Sequence, residues 1–108
     1  MSQKILQINF KFNVSPVEYE NAVSPLAGPI ADTPGLQWKV WLMNTADHEA
    51  GGIYLFDDEA SVQAFLAGPI VAGVKSHPAL SDISAKVFDV MEELSLICRG
   101  PVRESVRV

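Results

Sequence analysis

Leu6, Ile8, Phe10 and Phe12 alternate with Gln7, Asn9 and Lys11. A period of two places every apolar member on one side of an extended chain and every polar member on the other. Such a segment is stable only as a strand whose two faces meet different surroundings. The rest of the chain must therefore supply a cover for one face of a sheet, and 108 residues suffice for a single core.

The cover is legible further along. Ser15-Pro16-Val17-Glu18 combines an N-cap, a proline at the first helical position and a glutamate three residues after the cap. Tyr19, Val23, Leu26, Ala27 and Ile30 follow at helical spacing, but Pro25 and Pro29 remove backbone donors, so the helix is expected to break near Ser24 or Gly28. After Pro34-Gly35, the segments Leu36–Met43 and Gly51–Phe56, joined by a polar turn from Asn44 to Glu49, read as a hairpin. Asp57-Asp58-Glu59 opens a second helix with Val62, Phe65, Leu66 and Ile70 on one face, weakened by Gly68, Pro69 and Gly73. Beyond the breaker His77-Pro78, Ile83 to Met91 forms a last strand. The order βαββαβ predicts an α+β, ferredoxin-like sandwich of helices on an antiparallel sheet, spanning residues 1–98, with 99–108 as a C-terminal tail or arm. Leu-Ala-Gly-Pro-Ile occurs once in each predicted helix, at 26–30 and 66–70, where the internal symmetry of such a fold would place a repeat.

Thirteen acidic side chains against eight basic ones leave no basic stripe to displace counterions, so no nucleic-acid partner is expected. The cluster Arg99, Arg103 and Arg107 is diluted by Glu104 and reads as a solvated tail. No apolar run approaches the ~18 residues of a spanning helix, and a membrane partner is not expected. Cys98 stands alone, which excludes an intrachain disulfide and favours a reducing, cytoplasmic setting. His48 and His77 share no metal-ligand spacing with other donors, so no metal is predicted. Serine-nucleophile and phosphate-loop motifs are absent from the sequence.

The hairpin carries the remaining chemistry. Closed symmetrically about Asp47 and His48, it sets Trp41 opposite Tyr54 and Lys39 opposite Phe56. Trp38, Val40, Leu42, Ile53 and Leu55 then form an aliphatic side suited to helices. The aromatic side is expected on the helix-free face, joined by Gln7, Asn9 and Lys11 and by Lys86 and Phe88. Aromatic walls with a few polar groups describe a small-molecule cavity, which two such faces would enclose in a homodimer; simple interface packing is the other reading.

Gly35-Leu36-Gln37-Trp38-Lys39-Val40-Trp41, His48-Glu49-Ala50-Gly51-Gly52-Ile53-Tyr54-Leu55-Phe56 and Ala85-Lys86-Val87-Phe88-Asp89-Val90 together resemble the YdhR family of monooxygenases, from the first strand to about Ser95. The resemblance implies a dimeric α+β barrel related to cofactor-independent monooxygenases that oxidise polycyclic aromatic phenols and quinones in antibiotic biosynthesis. With that resemblance, the expectation is an oxygenase that needs no cofactor and acts on a small aromatic phenol or quinol with dioxygen, the residue roles being assigned from the residues themselves. Lys39, Tyr54 and His48 are the catalytic candidates, and Asn9, Trp41, Phe56, Lys86 and Phe88 the substrate-binding ones. A non-catalytic dimeric module that binds small aromatic metabolites is the alternative. Haem degradation on the same barrel would need an iron-ligating histidine, for which His77 is the candidate.

Overall fold

The alternation at the start of the chain becomes β1 (Lys4–Phe12), with Leu6, Ile8, Phe10 and Phe12 all buried. The computed structural model describes residues 2–103. With β2 (Leu36–Asn44), β3 (Glu49–Phe56) and β4 (Leu80–Asp89), β1 forms one antiparallel sheet in the order β2-β3-β1-β4.

Ser15 caps α1 (Pro16–Val23) by accepting from the Glu18 amide at 3.1 Å. Pro25 cannot continue the α-helical ladder, so the chain tightens into a 3-10 turn at Ser24–Leu26 before α2 (Ala27–Ala31). The Asp58 carboxylate accepts from the Ser61 amide at 2.8 Å and starts α3 (Glu59–Leu66). Gly68 then breaks the path and Pro69 opens α4 (Pro69–Ser76). Tyr19, Ile30, Val62, Phe65 and Val71 from these helices pack with the buried side of β1 and with Tyr54 and Phe56. The ferredoxin-like α+β sandwich is thus the observed fold. The last strand begins at Leu80, three residues before its expected start, and α5 (Glu92–Ile97) follows it.

The face expected for the hairpin is inverted. β1 pairs with β3 so that Leu6 faces Tyr54 and Lys4 faces Phe56. β2 pairs with β3 so that Lys39 faces Tyr54 and Trp41 faces Gly52. The hairpin register is two residues from the symmetric one, which preserves the grouping of Lys39, Trp41, Tyr54 and Phe56. Those four side chains, however, share the helix-covered face with Leu6 and Ile8. Trp38, Val40, Leu42, Ile53 and Leu55 lie on the open face with Gln7 and Asn9. The physical reason is that β3 is an inner strand between β1 and β2; both of its sides are apolar, so polarity could not orient it.

On the open face the C-terminal segment returns to the sheet. The Trp38 indole donates to the Pro101 carbonyl at 2.8 Å. Gln3, a buried polar residue, accepts from the Arg103 amide at 3.0 Å and donates to the Arg103 carbonyl. Gln37 donates to Asp57 at 2.8 Å, and the Arg103 guanidinium pairs with the same carboxylate. Glu104 and Arg107 lie outside the described residues.

Gly51 is required by close approach, since a Cβ there would sit 1.9 Å from the Ile8 carbonyl oxygen. Gly51→Ala must push β3 away from β1 and is expected to cost about 3 kcal/mol, the upper range for single substitutions. Urea unfolding of the two proteins measures it.

Candidate active site between sheet and helices

The space between the sheet and its helices is not completely filled. A cavity of about 200 Å³ remains, walled on the sheet side by Ile8, Phe10, Lys39, Trp41 and Tyr54 and on the helix side by Tyr19, Phe65, Leu66 and Ile70. Exposed Lys75 and Ala85 also line it and mark an opening beside α4 and β4. No Asp or Glu side chain is among the lining residues.

Lys39 enters from β2 because Gly52, its diagonal neighbour on β3, has no side chain. A Cβ at Gly52 would meet the Lys39 Cε at 2.5 Å. The Nζ lies 3.2 Å from the centroid of the Trp41 ring and 4.5 Å from that of Tyr54. The aromatic faces offset part of the lost hydration, but among the described residues no carboxylate pairs with this ammonium, and burial lowers its pKa to about 7.

Two phenols complete the polar lining. Burial pushes the Tyr54 hydroxyl up, with a smaller contribution from Tyr19 nearby. The Tyr54 ring is fixed against Phe65 at 5.2 Å and Phe56 at 6.2 Å between centroids. Tyr19, on α1, is 4% exposed and stacks on Phe12 at 5.0 Å. Its hydroxyl is buried without a hydrogen-bond partner, and burial raises its pKa to about 12.

Of the residues singled out in the sequence, the structure brings Lys39, Trp41 and Tyr54 together at this cavity. Phe56 is on the same face but fully buried in the core, against Phe65 at 5.6 Å. Asn9, Lys86 and Phe88 lie on the opposite, open face: β4 pairs Lys86 with Gln7 and Phe88 with Ile5, and the Asn9 side-chain oxygen accepts from the Gln7 side-chain Nε2 at 2.9 Å. His48 sits exposed at the hairpin tip with φ 51°, its ring 5.2 Å from that of Phe12, and does not line the cavity. Tyr19 was missed because its position at helical spacing reads as core. The available signal was its hydroxyl, since a buried tyrosine ordinarily finds a partner for its O–H.

The profile of the family described as "Putative mono-oxygenase ydhR" matches residues 5–101. The chain belongs to the YdhR family. Its solved structural neighbours include SnoaB, a cofactor-independent oxygenase from Streptomyces nogalater, at TM-score 0.69 and 20% identity, with 85% of this chain and 96% of that chain covered. The monooxygenase from the gene ActVA-Orf6 of Streptomyces coelicolor, in complex with nanaomycin D, follows at TM-score 0.64 and 16% identity, covering 82% and 88%. The haem-degrader MhuD from Mycobacterium tuberculosis, with two haems bound in its active site, superposes at TM-score 0.62 and 19% identity, covering 81% and 95%. At these identities the likeness shows the fold. No curated protein sequence matches the chain.

His77, the haem-ligand candidate, is exposed in the turn after α4; its Nδ1 accepts from the Ala79 amide at 3.1 Å. Neither histidine of this YdhR-family chain lines the cavity, so the iron-ligating histidine that haem would need there is not among its lining residues. No described helix is long and apolar enough to cross a membrane.

The lysine has a stability signature. Its folded-state pKa lies below the unfolded value of 10.5, so the cost of burying its charge is fully present below pH 7 and disappears as pH rises toward 10.5. Lys39→Met is expected to raise the thermal midpoint at pH 6 to 7, with the gain shrinking by pH 10. Thermal unfolding across that range checks the trend.

Proposed function

We propose that this protein is an oxygenase of small phenols or quinols, in which Lys39 generates and holds the phenolate. The carrying observation is a half-buried lysine held against aromatic rings, in a cavity with no carboxylate among its described lining residues. Membership of a monooxygenase family supports the reaction class, and the oxygenase neighbours SnoaB and ActVA-Orf6 support the fold's suitability for it.

With a pKa of about 7, neutral Lys39 can accept the phenolic proton and the resulting ammonium then attracts the phenolate. In the water-poor cavity that attraction is stronger than in bulk solvent. The electron-rich ring is the reductant. In a phenol whose para carbon bears hydrogen, dioxygen forms a C–O bond there, that hydrogen leaves as a proton, and cleavage of the O–O bond yields quinone and water; a para-quinol instead gives up two electrons and two protons, reducing dioxygen to hydrogen peroxide as it becomes the quinone. One phenol and one dioxygen give one quinone and one water, so the electrons balance without a further reductant. Tyr54, with its hydroxyl held protonated by burial, donates to the oxygen on which charge develops. His48 takes no part unless the hairpin tip moves.

The assembly proposed is a homodimer through the open sheet faces. Val40 on β2 is 52% exposed and Phe88 on β4 is 47% exposed, both on that face, and Met91, Leu94 and Ile97 nearby in sequence are also exposed. Pairing two such faces would remove an apolar patch from water and enclose Asn9 and Lys86. Sedimentation at micromolar concentration should find a dimer in the wild type, and Val40→Glu should shift it to monomer.

Oxygen uptake with a panel of phenols and quinols tests the activity. The expected result is one dioxygen consumed per quinone formed, a rate that rises as pH passes through about 7, and a loss of at least about a hundredfold in Lys39→Met. The absence of uptake across the panel, with ligand binding retained, would instead support a binding module.

A further inference from the structure

The buried hydroxyl of Tyr19 has no role in the reaction as derived, and the cavity is small. Resting on the reading of this site as a phenol pocket, we infer that its ligand is a single aromatic ring carrying two oxygen substituents, one bound at Lys39 and Tyr54 and the other at Tyr19. The size follows from the volume. An apolar cavity of about 150 Å³ takes up benzene, so about 200 Å³ encloses one substituted ring and leaves no room to enclose three fused ones.

The second oxygen follows from Tyr19. This side chain is 4% exposed, lines the cavity and leaves its O–H without a partner. A buried donor left unpaired is costly, and a ligand oxygen would satisfy it. The ring cannot easily turn away, because Phe12 stacks on it at 5.0 Å and Phe10 lies at 5.9 Å. Its hydroxyl stays protonated over the neutral range and so offers a hydrogen bond to a phenol, a phenolate or a carbonyl oxygen.

The upper size limit is set at one wall. Tyr19, Val23 and Trp41 line both the cavity and an outer groove that continues to Met43 and Ser24. Trp41 is the bulkiest of the three and is partly exposed, so it separates a compartment for one ring from a longer channel.

Equilibrium dialysis under nitrogen, which prevents turnover, tests both parts at pH 7.5 with phenol, the three benzenediols and 1,8-dihydroxyanthraquinone. At least one benzenediol should bind wild type about tenfold more tightly than phenol, the worth of one added hydrogen bond. Tyr19→Phe should erase that advantage, leave phenol binding within about twofold, and unfold at a temperature no lower than wild type, since it removes only an unpaired hydroxyl. The anthraquinone should bind only after Trp41→Ala joins cavity and groove. A diol advantage that survives in Tyr19→Phe overturns the second-oxygen assignment. Tricycle binding to wild type as tight as the diol overturns the size assignment, and no binding of any probe overturns both. Diol preference without oxygen uptake in air would instead remove the oxygenase reading and leave this one standing.

Discussion

Pairing of β1 with β3 decides the chemistry of this molecule. Leu6 opposite Tyr54 and Ile8 opposite Gly52 place the aromatic side of the hairpin under the helices instead of against a second sheet. Tyr54 is then buried and Lys39 partly withdrawn from water, which is why a lysine whose stem would be unremarkable on a surface becomes a group with its pKa lowered to about 7. The same pairing relies on glycine: a side chain at position 51 would strike β1, and one at 52 would fill the space used by the lysine stem.

The cavity exists because aromatic rings and short helices do not tile a twisted sheet completely. α1 and α2 are separated by a 3-10 turn at Ser24–Leu26, and α3 and α4 by the Gly68-Pro69 step. Two long helices would pack along their whole length, whereas four short ones meet the sheet at separate points. Pro25, just ahead of the first Leu-Ala-Gly-Pro-Ile segment, and the Gly68-Pro69 step within the second thus contribute to the volume of the cavity, by interrupting each helical stretch where it passes over the sheet.

Strand and helix order was legible because each element begins or ends on local chemistry: Ser15, Pro16, Asp58 and Pro69 act within a few residues of themselves. Which side chains share a face of the hairpin was also legible, since alternation survives a two-residue slip of register. The side that faces the helices was not. Ile53 and Leu55 are as apolar as Tyr54 and Phe56, and only the long-range pairing with β1 distinguishes them. The error carried Asn9, Lys86 and Phe88 into a site that lies across the sheet from them. Tyr19 escaped notice for a related reason, since helical spacing reports burial and is silent on whether a hydroxyl has found a partner.

The hydrogen bonds between Gln3 and the Arg103 backbone, with Trp38 holding Pro101, join segments from opposite ends of the described chain. Gln3 adjoins β1, one of the two inner strands paired on both sides. The Arg103 amide therefore shares in the opening equilibrium of the sheet interior, and its exchange with solvent deuterium should be slowed well beyond that of a segment attached only through α5.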